Sequence, residues 1–220
     1  AKILQLVNSA FFGLRCRISS PKQAVQMLGL DTLRALVLTT HVFDKFRTHS
    51  LGEEETSYLW KHSFAVGSFA KHIATSEKAD RQLVDDCFTA GLLHDAGKLI
   101  LAFTMEKKYL LVLEAIRKNG TKLIAAETEI LGCNHAEVAA YLLGLWGLPE
   151  AVIDGVAWHH APSRSMQTGF STVVATHVAS IFHDQQCPFW MQDDVPLDVE
   201  YLNQNNLAGR ELIWRRQVDE

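Results

Sequence analysis

The stretch GLLHDAGKLIL, residues 91 to 101, places His94, Asp95 and Lys98 inside a run that is otherwise apolar or glycine. Buried polar groups of this kind must be hydrogen-bonded, paired with a charge or bound to a metal. On a helix, adjacent side chains diverge by about 100°. His94 and Asp95 can therefore share one ion only if other helices supply the remaining ligands, so the stretch predicts a site assembled from several helices.

Helical periodicity runs through almost the whole chain. Ser20 followed by Pro21 predicts a helix start, Gly29 its end, Asp31 the cap of the next helix and Thr121 the cap of a later one. Further helices are predicted after residues 53–55, over 82–104, 105–119 and 169–184, and after Asn134 and Pro149. Strand signals are few, because no alternating run exceeds four residues. The sequence predicts an all-α fold, a compact multi-helix bundle with short loops.

The distribution of histidine and proline divides the chain into three parts. Most histidines follow residue 50, so we expect residues 1–50 to form a small N-terminal helical subdomain and 51–186 the helical core. Residues 187–220 are more polar, and we expect peripheral helices there. Their predicted docking residues are Trp190, Tyr201, Leu202 and Trp214. The chain opens without Met, on what reads as the end of a helix, which predicts a fragment lacking an N-terminal portion.

Charge and composition argue against two classes of partner. A net charge of −4 gives no electrostatic basis for binding nucleic acid, and the arginines at 210, 215 and 216 are the only basic cluster. No apolar run reaches the length of a membrane span. The four cysteines lie far apart without a CxxC pair. We therefore expect free thiols, a cytoplasmic location and no membrane or nucleic-acid partner.

Five histidines and one aspartate are the candidate metal ligands. They fall on four separate predicted helices, and they are His62, His94, Asp95, His135, His159 and His160. Neutral imidazole and carboxylate suit iron, manganese or zinc, and a shared carboxylate can bridge two ions. Taken singly, a core histidine is more often hydrogen-bonded to a carbonyl. Spacing and composition alone leave both interpretations open.

The ordered motifs resemble a known family. His62, HDAGK (94–98), NHAEVAAYLL (134–143) and WHHAP (158–162) resemble the ligand set of the HD superfamily of metal-dependent phosphohydrolases. NSAFFGL, AVQMLGLDTLRALVL, GLLHDAGKLIL and LLGLWGLPEAVIDGVAWHH resemble HDOD, the HD-related output domain, and the likeness covers about residues 1–185. It implies an HD-domain-like bundle used as a bacterial regulatory module, often fused to receiver or other signalling domains.

The resemblance also implies ligand roles. His62, His94 and Asp95 match the ligands of a first metal, and Asp95, as a bridge, with His135, His159 and His160 matches a second. Two features depart from the superfamily pattern. Ser180 stands where the last helix has an Asp, and no GYP follows His160, which argues against a cyclic-di-GMP phosphodiesterase of the HD-GYP type.

The roles of neighbouring residues remain open at this stage. His177 is expected to be a core or supporting residue rather than a replacement ligand, and His183 a surface or helix-end residue. Lys98 either holds a substrate phosphate or is an i,i+3 partner of Asp95. Glu137 either favours its helix N-terminus or holds His135.

Two functions follow from these features. The first is a signal-transduction output domain that binds signalling proteins or an upstream receiver-type domain and retains a metal-capable pocket. The alternative is a mononuclear or binuclear metal-dependent phosphohydrolase acting on a nucleotide or phosphodiester, with Asp95 and Lys98 as catalytic residues. The loss of an anionic ligand at Ser180 favours the first. The sequence does not define the oligomeric state.

Overall fold

The computed structural model describes residues 7–8, 18, 20–46, 48–192 and 195–219, which hold helices and no strand. This confirms the all-α prediction. The helices are α1 (Pro21–Leu28), α2 (Leu30–Lys45), α3 (Glu53–Ser76), α4 (Arg81–Leu93), α5 (Ala96–Thr104), α6 (Glu106–Asn119), α7 (Leu123–Leu131), α8 (His135–Leu145), α9 (Glu150–Ala157), α10 (Thr172–Gln186), α11 (Val199–Gln204) and α12 (Glu211–Asp219), with a 3₁₀ turn at Pro162–Arg164.

Some of the N-cap residues predicted from the sequence agree with the structure and others do not. The Ser20 hydroxyl accepts from the backbone N–H of Gln23, as expected of an N-cap. The predicted caps at Asp31 and Thr121 are wrong. Gly29, with φ +86°, turns the chain directly into α2, so Asp31 already lies inside the first helical turn. The cap position of α7 falls on Lys122, one residue after Thr121.

The opening stretch is broken at the polar pair. The sequence predicted one helical element over 82–104, but α4 ends at Leu93 and α5 begins at Ala96. His94 and Asp95 form the turn between them, and the Lys98 N–H donates to the Asp95 carbonyl at 3.0 Å. At this turn the two side chains do not diverge. His94 Nε2 lies 3.6 Å from an Asp95 oxygen.

Helix α4 is the centre of the bundle and packs against α2, α3, α9 and α10. Glycine permits its closest crossing. A Cβ on Gly91 would lie 2.7 Å from the Cα of Gly67 on α3. The backbones approach so closely that no side chain fits between them, and this fixes α3 beside the turn that carries the polar pair.

The C-terminal segment docks on the bundle as the sequence predicted. Tyr201, Leu202 and Trp214 are buried, Trp190 is partly buried, and the Trp214 indole donates to Glu77 at 2.6 Å. The three-part division of the chain stays a prediction. Most of the NSAFFGL motif lies outside the described residues, and Cys87, Cys133 and Cys187 are free thiols.

No helix within the described part of the chain is both long and apolar enough to cross a membrane.

Gly97, in the HDAGK motif, lies where α5 approaches the backbone of His135 at the start of α8. Replacement of Gly97 tests this close approach. A Cβ there would lie 1.9 Å from the backbone oxygen of His135, which cannot move without shifting α8. We expect Gly97→Ala to lower the free energy of unfolding by about 3 kcal/mol or more, measured by urea denaturation.

Gly144→Ala is the matched control. Its added Cβ would meet only Ile153, at an ordinary 3.7 Å, and alanine favours a helix interior. We expect this variant to gain up to about 1 kcal/mol. Equal stability of the two variants would contradict the close approach at Gly97.

Candidate metal centre

The helical arrangement brings all six predicted ligands to one place. His62 comes from the middle of α3, His135 is the first residue of α8, and His159 and His160 follow the end of α9. The remaining two, His94 and Asp95, come from the turn between α4 and α5. All are buried except His160, which is partly exposed.

The Asp95 carboxylate lies at the middle of this cluster, and its two oxygens face different histidines. Oδ2 lies 3.5 Å from His62 Nε2 and 3.6 Å from His94 Nε2. Oδ1 lies 3.4 Å from His135 Nε2 and 4.0 Å from His159 Nε2. His160 Nε2 lies 3.0 Å from His135 Nε2. These contacts define a first set, His62–His94–Asp95, and a second set, Asp95–His135–His159–His160.

The outward ring nitrogens of three histidines are held by fixed acceptors. The Nδ1 of His94 lies 2.7 Å from the Gly91 carbonyl, and that of His159 lies 2.7 Å from the Val156 carbonyl. Since a carbonyl only accepts, both rings carry their proton on Nδ1 when neutral. Each ring then presents an Nε2 lone pair to the centre, which is the tautomer that a metal requires.

A buried carboxylate holds the third of these histidines, and the sequence analysis missed it. His135 donates from its backbone N–H and from Nδ1 to Glu127 Oε2, at 2.9 and 2.7 Å. Glu127 is fully buried, whereas Glu137 forms a capping box with Asn134, so the helix-end role of Glu137 is the one observed. The available signal was a glutamate on the apolar face that Leu123 and Ala126 define on α7.

The polar atoms of the centre fit a cation. Asp95 Oδ1 and His159 Nε2 are buried and have no hydrogen-bond partner among the described residues. His62 Nε2 and His94 Nε2 lie 3.0 Å apart. Ligands that share an ion at about 2.1 Å lie about 3.0–3.4 Å from one another, close to most of the distances within each set. A donor set of imidazoles and one carboxylate suits Fe, Mn or Zn.

Burial determines the charge state of the centre. Burial lowers the pKa of His94, and it holds the pKa values of His62, His159 and His160 well below their usual range. These rings are therefore neutral bases near pH 7. Burial also lowers the pKa of His135, but the Glu127 and Asp95 carboxylates together outweigh it and raise that pKa overall.

Lys98 is the counter-charge of Asp95. Its ammonium lies 2.7 Å from Oδ2, and both side chains are buried. Burial by itself raises the pKa of Asp95, but the Lys98 ammonium and the surrounding histidines hold that pKa well below its usual range. The i,i+3 contact considered from the sequence is present, and the carboxylate is ionised.

The last core helix supplies support rather than a direct ligand at the expected position. The Ser180 hydroxyl donates to the His177 carbonyl and lies in neither ligand set. His177 Nδ1 lies 2.7 Å from the His159 carbonyl, and its Nε2 accepts from the Asp198 backbone. His177 therefore fixes the backbone that carries His159, the supporting role expected of it.

His183 lies in the last turn of α10, one of the two positions expected from the sequence, but not at the surface. It is buried, and its Nδ1 lies 2.8 Å from Nδ1 of His62. The next residue, Asp184, has an oxygen 3.5 Å from the same His62 nitrogen. The sequence did not predict the contact between His183 and His62 because the two residues are 121 positions apart in the chain.

A separate cleft of about 660 Å³ lies between α2 and the N-terminal end of α3. Thr40, Phe43 and Trp60 are among its lining residues, which include none of the six candidate ligands. The cleft is therefore distinct from the histidine cluster.

An all-helical bundle with His, His-Asp, His and His-His donors around one shared carboxylate is a domain of the HD type. The chain belongs to the HDOD domain family, whose model matches residues 1–162. It is 28% identical over 191 residues to a protein of Treponema pallidum (strain Nichols), covering 85% of this chain and 36% of that protein. The chain thus spans about a third of that relative's length.

Solved structures share the fold. An HDOD domain protein from Geobacter sulfurreducens is 26% identical, with a TM-score of 0.74 over 99% of this chain and 71% of that one. A Shewanella amazonensis SB2B protein provisionally named a phosphohydrolase is 20% identical, with a TM-score of 0.69 over 99% and 81%. A Marinobacter aquaeolei VT8 protein provisionally named a signal transduction protein is 18% identical, with a TM-score of 0.73 over 99% and 48%.

The buried histidines predict a loss of stability in acid. In the unfolded chain their pKa returns to about 6.5, above the lowered values in the folded protein, so the unfolded state binds more protons as the pH falls. The part of the free energy of unfolding that depends on these neutral rings is fully present above about pH 6.5 and is lost as the pH falls below that value. The histidines with a lowered pKa are His62, His94, His159, His160, His177 and His183. Burial lowers the pKa of His183 to about 4.

We expect the metal-free protein to lose about 1 kcal/mol per histidine between pH 7.5 and 5.5, measured as urea unfolding at both values. His135 has a raised pKa, so its contribution has the opposite sign and offsets part of the loss. A free energy of unfolding that is constant or rises toward pH 5.5 would contradict the assignment of neutral buried rings.

Proposed function

We propose that this HDOD domain is a signal-transduction output module whose histidine centre binds one or two divalent transition-metal ions. The observation that carries the metal part is the arrangement around Asp95. The Nε2 lone pairs of His94 and His159 face an ionised carboxylate whose Oδ1 has no hydrogen-bond partner among the described residues. A cation supplies the attraction that these facing lone pairs otherwise lack.

Family membership and a fold shared with a protein provisionally named for signal transduction support the output role. The proposed partners are signalling proteins or an upstream receiver-type domain, and the proposed location is the cytoplasm. With Ser180 at the position where the superfamily pattern has an Asp, the first set contains one anionic ligand, Asp95. Asp184, on the same helix, faces His62 Nδ1 and forms a separate group with His62 and His183. Fewer anionic ligands favour a binding or structural centre over one built for turnover.

Metal content tests the centre directly. Asp95 belongs to both sets, so we expect Asp95→Asn to remove all metal bound after purification with Zn²⁺ or Mn²⁺. His160→Gln should reduce only the ion of the second set, because His160 belongs to that set alone. Elemental analysis of the dialysed protein measures both effects.

His41→Gln is the control, since His41 is exposed and belongs to neither set. It should retain the wild-type metal content. A wild-type chain that holds no metal after loading, or an Asp95→Asn chain that holds as much as the wild type, would sink the proposed metal function.

A second candidate, a metal-dependent phosphohydrolase acting on a nucleotide or phosphodiester, is favoured by the complete convergence of the six ligands. A bound metal would lower the pKa of a coordinated water to generate a nucleophile. Within the chain, Asp95 would hold the ions and the Lys98 ammonium, 2.7 Å from Asp95 Oδ2, would stand ready to attract a phosphate oxygen. The partly exposed His160 marks the side from which a substrate would enter.

Hydrolysis of bis(p-nitrophenyl) phosphate by the metal-loaded protein separates the two functions. The output role predicts turnover at the background rate and no difference between the wild type and Lys98→Met. Turnover that Asp95→Asn abolishes and Lys98→Met lowers by about 100-fold or more would replace the output role with the hydrolase.

A further inference from the structure

His62 is held differently from the other histidines of the centre. The Nδ1 atoms of His94, His135 and His159 face a carbonyl or a carboxylate, which can only accept. The Nδ1 of His62 instead lies 2.8 Å from the Nδ1 of His183. A neutral imidazole can accept or donate at that atom, depending on its tautomer. The outward partner of His62 therefore does not fix where the His62 proton lies.

In the absence of an ion, the inner contact decides the proton position. His94 donates from Nδ1 to the Gly91 carbonyl, so its Nε2 carries a lone pair. That atom lies 3.0 Å from His62 Nε2. Two lone pairs at this distance repel, so His62 carries its proton on Nε2 and donates it to His94. His62 Nδ1 is then an acceptor, and His183 Nδ1, at 2.8 Å, is a nearer donor to it than the Tyr58 hydroxyl, at 3.4 Å.

A cation between His62 and His94 requires the opposite arrangement. Both Nε2 atoms must then offer lone pairs, so the neutral His62 ring must carry its proton on Nδ1. His183 Nδ1 would accept that proton's hydrogen bond. The Asp184 oxygen, 3.5 Å from His62 Nδ1, favours a proton there, and Gln192 Nε2 holds Asp184 with a 2.8 Å hydrogen bond.

We propose that His183 is the positioning residue of His62, a partner that donates in the metal-free protein and accepts when a cation occupies the first set. On binding, the His183 Nδ1 proton passes to His62 Nδ1, the His62 Nε2 proton leaves to water, and His183 Nε2 takes a proton from water. Each ring stays neutral and no net proton is released. The inference rests on the proposed metal function and assigns a reversible hydrogen bond to this one ligand.

Nitrogen-15 NMR of the imidazole rings tests the proposal, because protonated and unprotonated ring nitrogens have well-separated shifts. His62 is identified by the signals that disappear in His62→Gln. We expect its proton on Nε2 in the metal-free wild type and on Nδ1 after Zn²⁺ is added. The same His62 tautomer in both states would overturn the role of His183.

Two variants of His183 separate positioning from packing. His183→Phe fills the space without a hydrogen-bonding group, whereas His183→Gln offers an amide that can donate or accept. In chelator competition with Zn²⁺, we expect His183→Phe to weaken the first-set ion by about 10-fold or more and His183→Gln to recover most of that loss. His72→Gln, an exposed position on the same helix α3, should match the wild type.

These outcomes distinguish a failure of the positioning role of His183 from a failure of the proposed metal function on which it rests. If Zn²⁺ fails to bind the wild-type chain, the metal function itself is overturned. If Zn²⁺ binds but both His183 variants keep wild-type affinity, the metal function stands and the positioning role is overturned. Thermal unfolding of each metal-free variant, compared with the wild type, shows whether the variant is still folded when its affinity for Zn²⁺ is reduced.

Discussion

The ionised Asp95 carboxylate is the constraint on which the rest of the centre depends. It is buried, it is paired with the oppositely charged Lys98, and burial keeps four of the five imidazoles around it neutral. Burying such a charge is costly unless several groups compensate it. The middle of α3, the turn between α4 and α5, the start of α8 and the end of α9 all direct polar atoms to this point, so the position of one carboxylate organises four segments of the chain.

The same constraint ties the fold to the site. His94 and Asp95 meet because the helix breaks at them, and α5 then lies so close to His135 that only glycine fits at position 97. Gly67 and Gly91 also bring α3 close to α4, which places His62 beside the turn. In HDAGK, the polar residues provide the chemistry and the glycine provides the backbone approach. A change in either alters both stability and ligand geometry.

These particulars show what sequence could and could not predict. Helical periodicity and the ordered motifs were enough for the all-α fold and for the six residues that the structure brings together. The broken helix escaped prediction because residues 82–104 keep an apolar pattern through the break. Glu127 and His183 escaped it because hydrogen bonds between distant helices leave no local pattern. The sequence offered one indication of Glu127, because a glutamate on the apolar face of α7 needs a buried partner. The sequence did not show that this partner is His135.

The two ligand sets are not electrostatically equivalent. Lys98 donates to Oδ2, the oxygen that faces His62 and His94, whereas Oδ1, which faces His135 and His159, has no partner among the described residues. A cation in the first set must share its carboxylate oxygen with an ammonium and must also reverse the hydrogen bond of His62. A cation in the second set meets a free oxygen and a His135 ring already oriented by Glu127. Occupation of the second set therefore requires less rearrangement, and it leaves Lys98 on Asp95. Only an ion in the first set would compete with the ammonium for Oδ2, so the hydrogen bond between Lys98 and Asp95 would respond to the ion that His62 holds.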